Sequence, residues 1–155
     1  MSLFTGINED VTLVAMFDAH FLLSRTSAHP FNLDNQTWPT VEHYYLAMRF
    51  ENQNDKDIIQ SAKSVAEAQK LSKRWFKKKR ADWKKVETVV MTRALYTKCK
   101  TYPEIAQALL DTGNEALVES SVYDHFWGCG RDQRGDNHYG IILMNIRDKL
   151  RSELA

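Results

Sequence analysis

The stretch Trp38-Pro39-Thr40-Val41-Glu42-His43-Tyr44-Tyr45-Leu46-Ala47-Met48-Arg49-Phe50 restricts the possible folds more than any other part of the chain. Thr40 carries a helix N-cap side chain just after Pro39, and Val41, Tyr44, Tyr45 and Met48 recur at i, i+3, i+4 and i+7, so the spacing predicts a helix beginning here. Leu46, Ala47 and Phe50 fill the other faces, and a helix that is apolar nearly all round belongs inside a core. Glu42 stands out on it, because a buried carboxylate is costly unless it is paired, hydrogen-bonded or protonated. Two readings account for it. In the structural one Glu42 lies in the first helical turn, where free N–H groups and the dipole favour an anion, with Arg49 or His43 nearby. In the functional one it is a general base or a cation-stabilising group held rigidly among aromatic rings.

A chain of 155 residues, 43% hydrophobic and 26% charged, has material for one core and is short for two, so residues 1–155 are expected to form a single domain. The net charge of +1 points to no partner. Cys99 and Cys129 make neither a disulfide framework nor a paired metal motif. There is no basic region followed by an apolar run at the N-terminus and no stretch of membrane-spanning length, so a reducing cytoplasm without a membrane partner is the expected setting.

Along the chain, Val11 to Phe17 has strand composition, and Pro30 to Thr37 reads as a second short strand with a turn at Asp34-Asn35. After the central helix come an amphipathic segment with Ile58 and Ile59, and a capping box, Ser64-Val65-Ala66-Glu67, opening a helix through Leu71. Val86, Val90 and Ala94 form a row on a long helix ending near Lys98 to Thr101. Pro103 starts another that Gly113 closes, Ala116 to Val122 is a candidate strand, and Ile141 to Leu150 is a last helix. The resulting class is α+β, mostly helical, with a few short strands.

Charge is uneven. Residues 70–85 hold nine basic groups against the single acid Asp82, a segment at +8 facing a remainder at −7. Trp75, Phe76 and Trp83 are interleaved with the cations, which suits a ligand carrying phosphate and a base. The competing reading is a solvated basic face with its aromatics turned inward. A mixture is expected, with Arg80 and Trp83 turned to a site and Lys77, Lys78 and Lys79 in water. Residues 124–140 hold four of the six glycines and lead into the last helix, an arrangement in which backbone N–H groups and a helix N-terminus could meet an anion. The glycine spacing is neither a dinucleotide fingerprint nor a P-loop, and a surface turn is the alternative.

Taken together in order, Trp38-Pro-Thr-Val-Glu42-His-Tyr-Tyr, Arg80-Ala-Asp-Trp83, Leu95-Tyr-Thr-Lys98, Leu117-Val-Glu119, Asp124-x-x-Trp127-Gly128-x-Gly130 and Gly135-x-Asn137-x-x-Gly140-x-x-Leu143-Met-x-x-Arg147 make the chain resemble the YbiA-like, or NADAR, superfamily from about Pro30 to Arg147. The resemblance implies an N-glycosidase that hydrolyses the ribose-to-amine bond of phosphorylated early riboflavin-pathway intermediates, or one that removes ADP-ribose from modified guanine in nucleic acid. It also implies Glu42, Trp83 and Asp124 as essential positions, with Trp127, Lys98 and Asn137 close by. The chain departs from the family where Ser24-Arg25-Thr26 replaces the usual Ser-Asn-Phe and where Gln133 replaces a loop glycine.

Cleaving a ribosyl C–N bond passes through an oxocarbenium-like cation, which calls for negative charge at the anomeric carbon and a positioned water. Glu42 is expected to handle the water and the cation, and Asp124 to hold ribose hydroxyls or assist proton transfer. Trp83 and Trp127 would stack on the base, while Arg80, Lys98 and Arg131 would meet phosphate, and Gly128, Gly130 and Asn137 are also expected to bind substrate. The chemistry needs no metal or cofactor, and His43 and His138 read as ordinary hydrogen-bonding groups. A non-catalytic ADP-ribose or nucleotide binder is the alternative class, against which the two carboxylates argue.

Overall fold

The computed structural model describes residues 11–14, 20–74 and 78–155. In chain order the elements are β1 (Val11–Val14), β2 (Phe31–Leu33), β3 (Gln36–Trp38), α1 (Val41–Ala47), α2 (Gln53–Gln60), α3 (Val65–Arg74), α4 (Trp83–Thr101), α5 (Pro103–Asp111), β4 (Ala116–Glu119) and α6 (His138–Leu154). The architecture is α+β and mostly helical, as the patterning predicts. By contact the chain falls into two compact units, residues 28–101 and residues 1–27 with 102–155.

In the 28–101 unit, α1 is the centre. Thr40 caps it by accepting the His43 amide at 3.1 Å, and all seven residues are buried against α2, α3, α4 and β3. The expected strand at Pro30 to Thr37 is in fact an antiparallel hairpin, Phe31 opposite Trp38, because Asp34 and Asn35 both adopt positive φ (53° and 61°). Short polar side chains tolerate that conformation, which matches the twist of a two-residue hairpin turn. A polar triad ties the hairpin to the helices: the Tyr44 hydroxyl donates to Asp34 Oδ2 at 2.7 Å, and Arg93 donates to Asp34 Oδ1 at 2.9 Å and to the Tyr44 hydroxyl at 3.1 Å. Burial, then the adjacent Asp34 carboxylate, pushes the Tyr44 phenol well above its ordinary range.

The predicted capping box forms in part. Ser64 Oγ accepts the Glu67 amide at 3.1 Å, but the Glu67 carboxylate reaches the Lys63 amide (2.7 Å). Ile59 is fully buried, whereas Ile58 is exposed.

In the other unit β1 and β4 pair in parallel, Val11 opposite Ala116 through Val14 opposite Glu119. The remainder of the expected first strand, residues 15–17, lies outside the described residues. Helix α6 packs on β4 and α5 on α6, with Tyr139, Leu143, Ile146 and Leu150 buried along one face of α6. Helix α6 starts at His138, earlier than the apolar pattern indicates. Among the described residues no helix is long and apolar enough to cross a membrane, and Cys99 and Cys129 are free and buried.

Candidate active site

In the 28–101 unit the site residues sit on α1 and α4. Glu42 is 3% exposed in the first turn of α1. Its neighbour His43 is locked as a neutral ring: Nε2 donates to the Ala62 carbonyl at 3.1 Å, which leaves Nδ1 to accept from the Thr40 hydroxyl at 2.8 Å. Burial lowers its pKa, which favours the neutral ring. His43 therefore supports the helix start, as an ordinary hydrogen-bonding group does. Trp83 opens α4, is 8% exposed, and lies with its ring 5.2 Å from Tyr45, whose hydroxyl donates to Glu87 at 3.3 Å. Tyr45 thus covers part of the indole that the sequence assigned to base stacking.

The cations of the basic segment divide differently from expectation. Arg80 makes a forked pair with Asp82, Nε to Oδ1 at 2.7 Å and a terminal nitrogen to Oδ2 at 2.9 Å, so its guanidinium is directed at its own loop. Lys78 and Lys79 are exposed, as foreseen, and Lys78 lies 3.3 Å from Glu51. Trp75, Phe76 and Lys77 lie outside the described residues.

Lys98, in the last turn of α4, is 1% exposed, which removes it from easy reach of a phosphate. Burial pulls its pKa down to about 8, and burial pushes the neighbouring Cys99 thiol up to about 11. Their stability effects have opposite signs. From about pH 8 to the ordinary lysine value of 10.5 the unfolded chain holds a proton that the folded chain lacks, so stability rises with pH. From the ordinary cysteine value of 9.0 to about 11 the folded chain holds the extra proton, so stability falls. Between pH 8 and 9 the lysine acts alone. Urea denaturation there should show a gain of up to about 1 kcal/mol, absent in Lys98→Met.

The other unit holds the second group. Asp124 Oδ1 accepts the Phe126 and Trp127 amides at 3.0 and 2.8 Å, and Oδ2 accepts from Arg25 at 3.3 Å. The same Arg25 nitrogen donates to Glu119 Oε1 at 3.0 Å. Arg25 and Glu119 are 1% and 0% exposed, while the Asp124 side chain retains 28%. The guanidinium carbon lies 5.8 Å from the Trp127 ring centroid and 5.9 Å from that of Tyr139. Trp127 is 3% exposed and meets Phe126 edge to face at 4.7 Å.

The glycine loop is organised by its own contacts. A Cβ on Gly130, at φ 69°, would collide with the His125 ring, and one on Gly128 would crowd Ser121. The His138 and Tyr139 amides donate to the Phe126 and Trp127 carbonyls at 3.0 and 3.1 Å, and Ile141 N to Asn137 O at 3.1 Å. At this helix N-terminus the His138 and Tyr139 amides are therefore engaged within the loop, as the surface-turn reading has it. Asn137 is 5% exposed and bridges β4: its Oδ1 accepts from Glu119 N and its Nδ2 donates to Leu117 O, both at 2.9 Å. It acts as a strand edge would. Arg131 remains outside, its guanidinium carbon 5.7 Å from the ring of Tyr123, which is 83% exposed. A cavity of about 390 Å³ in this unit is lined by Leu117, Val118, Arg134, Asp136, Asn137 and Met144 among others, and Asp124 and Trp127 are not in its lining.

Sequence reasoning noted Arg25 only as a departure from the family pattern and not as the partner of Asp124 and Glu119. The available signal for Arg25 was its position as a departure in an otherwise ordered motif series. Among the described residues no group of three or more His, Cys, Asp or Glu is placed to hold a metal.

Residues 4–151 match the family model described as the NADAR domain. The chain is 39% identical over 135 residues to a protein of Nostoc punctiforme named as an N-glycosidase, covering 85% of this chain and 86% of that one. It is 34% identical over 130 residues to the N-glycosidase YbiA of Escherichia coli, covering 84% and 81% respectively. It is 41% identical over 129 residues to the chloroplastic riboflavin biosynthesis protein PYRR of Zea mays, spanning 21% of that longer chain. The NMR structure of E. coli YbiA superimposes with a TM-score of 0.84 at 29% identity, covering 99% of this chain and 92% of that one.

Proposed function

The chain belongs to the NADAR domain family, and from that premise we propose that it is an N-glycosidase hydrolysing the ribose C–N bond of phosphorylated ribosylamino intermediates of riboflavin biosynthesis. The observation carrying this reading is the match, over most of both chains, to relatives named N-glycosidases. The riboflavin substrate is supported more narrowly, by the Zea mays relative, of which the chain spans 21%.

In the proposed reaction Glu42 takes a proton from water as the water oxygen bonds to the anomeric carbon. The C–N electron pair leaves with the amine nitrogen, and the proton follows it. The Glu42 charge also opposes the oxocarbenium-like cation that forms on the way. Asp124, whose side chain is partly exposed, accepts ribose hydroxyls with the lone pairs that its loop amides and Arg25 leave. Trp83 in one unit and Trp127 in the other are each assigned to the base, and Arg131, which is exposed, to phosphate. Lys98 is too deeply buried for that task, and Arg80 would meet phosphate only with the donors that Asp82 leaves. The steps draw on side chains and water alone.

A second reading, glycohydrolysis of ADP-ribosylated guanine in nucleic acid, is favoured by the exposed cations: the Lys78 and Lys84 side chains are 81% and 88% exposed. Salt separates the two. Several phosphate contacts make binding fall steeply with salt, whereas one phosphate ester gives a mild dependence. With Lys77, Lys78 and Lys79 replaced by Gln, turnover of the small substrate should stay within about twofold, and no DNA binding is expected in low salt. Faster turnover of ADP-ribosylated DNA, with a steep salt dependence lost in the triple variant, would replace the first reading by the second.

A further inference from the structure

Arg25 stands in an unusual place. Residues 24–27 are all buried, and the turn is fixed by its own bonds: Ser24 N to Phe21 O at 3.0 Å, Thr26 N to Ser24 Oγ at 3.2 Å and Ser24 Oγ with Thr26 Oγ1 at 3.0 Å. From this turn the arginine extends to two carboxylates 94 and 99 residues further along the chain. One of them, Glu119, is inaccessible, and its backbone joins the glycine loop through Cys129 N to Glu119 O at 2.9 Å. The other, Asp124, is the partly open one. With its own exposure at 1%, the guanidinium is not placed to touch a substrate. It is placed to determine where Asp124 points.

We propose that Arg25 is a positioning residue of the reaction: its bond to Oδ2, with the two loop amides on Oδ1, holds the Asp124 carboxylate in one orientation toward solvent, and its guanidinium beside Trp127 holds that ring. The inference rests on the N-glycosidase reading and on Asp124 contacting the sugar. A planar guanidinium suits the task because one cation can serve two carboxylates and lie against aromatic rings, which a lysine ammonium does only as a point charge. Glu119 anchors the cation in the interior, so that its second contact is directed outward. Asp124 is then fixed from both oxygens before substrate arrives, and preorganisation of this kind is what distinguishes a catalytic carboxylate from a surface one.

The test is a double-mutant cycle with Arg25→Lys and Asp124→Asn on the full chain, read as kcat/KM on a ribosylamino pyrimidine 5′-phosphate. Arg25→Lys alone should lose about tenfold or more, and in the Asp124→Asn background it should change the rate less than about twofold, the non-additivity of groups acting through one another. Equal losses in both backgrounds, scaling with the folded fraction from thermal melting, would mean that Arg25 only supports the fold and would overturn the proposal. Should Arg25→Lys fold poorly, Arg25→Ala with millimolar guanidinium supplies the second measurement. Rescue of rate by guanidinium and not by urea supports positioning, and no rescue in a folded sample counts against it. Failure of the N-glycosidase reading shows separately, as a folded wild-type protein without turnover. The cycle is then read in Kd for ribose 5-phosphate, where lost coupling, or no binding by wild type, removes the Arg25 proposal too.

Discussion

Glu42→Gln should leave the protein folded, with an unchanged or higher melting temperature, and should lower kcat by about 10²-fold or more, the usual loss on removing a general base or a key electrostatic group. Fold and chemistry make opposite demands at this position. A structural carboxylate that is 3% exposed on a wholly buried helix contributes through its pairing, and neutralising it should lower stability, with activity falling only as folding falls. A catalytic one is maintained against stability, so its near-isosteric amide keeps the shape while losing the ability to take a proton or oppose a cation. Thermal melting and single-turnover rates on the same sample distinguish the two. KM should change little, because the interaction removed is one made in the transition state.

The second large effect should come from Gly140→Ala. Inside a helix this exchange ordinarily stabilises by about 1 kcal/mol. Here the sign reverses, because a Cβ at 140 would sit well inside contact distance of the Leu117 carbonyl and of both terminal atoms of the Asn137 amide. The Leu117 carbonyl is strand backbone and Asn137 is pinned by two bonds to β4, so neither can yield cheaply. Either α6 lifts from β4 or Asn137 releases the strand, leaving buried polar groups unpaired. The combined overpacking and lost bonding should destabilise by about 3 kcal/mol, a fall in melting temperature of roughly 6 to 12 °C for a chain of this size. A calorimetric scan that shows a rise would contradict the close approach described.

What could be read in the sequence was what local chemistry determines. Thr40 caps α1 through the His43 amide three residues on, and the apolar spacing of α1 and α4 depends only on neighbours within two turns. The capping-box serine and the Pro103 start of α5 are local in the same sense. The hairpin was half legible: the turn at Asp34-Asn35 was visible, but strands of three residues are too short to show an alternation. In the second group Asp124, Trp127 and Asn137 were named through the motif series, but the contact that joins Asp124 to Arg25 was not legible. Nothing near Arg25 in sequence indicates that it will meet Glu119 and Asp124, since those partners are distant in the chain and only the fold brings them together. The glycine loop was ambiguous for a related reason. Glycine richness signals a close approach without saying of what, and at Gly130 and Gly140 the approaching groups are the protein's own His125, Leu117 and Asn137. A charge count likewise does not show that Asp82, two residues on, accepts from Nε and one terminal nitrogen of Arg80.

Cleavage of a ribosyl C–N bond is measured by quantifying the ribose 5-phosphate that folded wild-type protein releases from a ribosylamino pyrimidine 5′-phosphate. Many equivalents of free sugar phosphate per protein are expected, matched mole for mole by the freed amine and nearly absent with Glu42→Gln. Substrate recovered intact, or equal release by wild type and Glu42→Gln, would contradict the N-glycosidase reading.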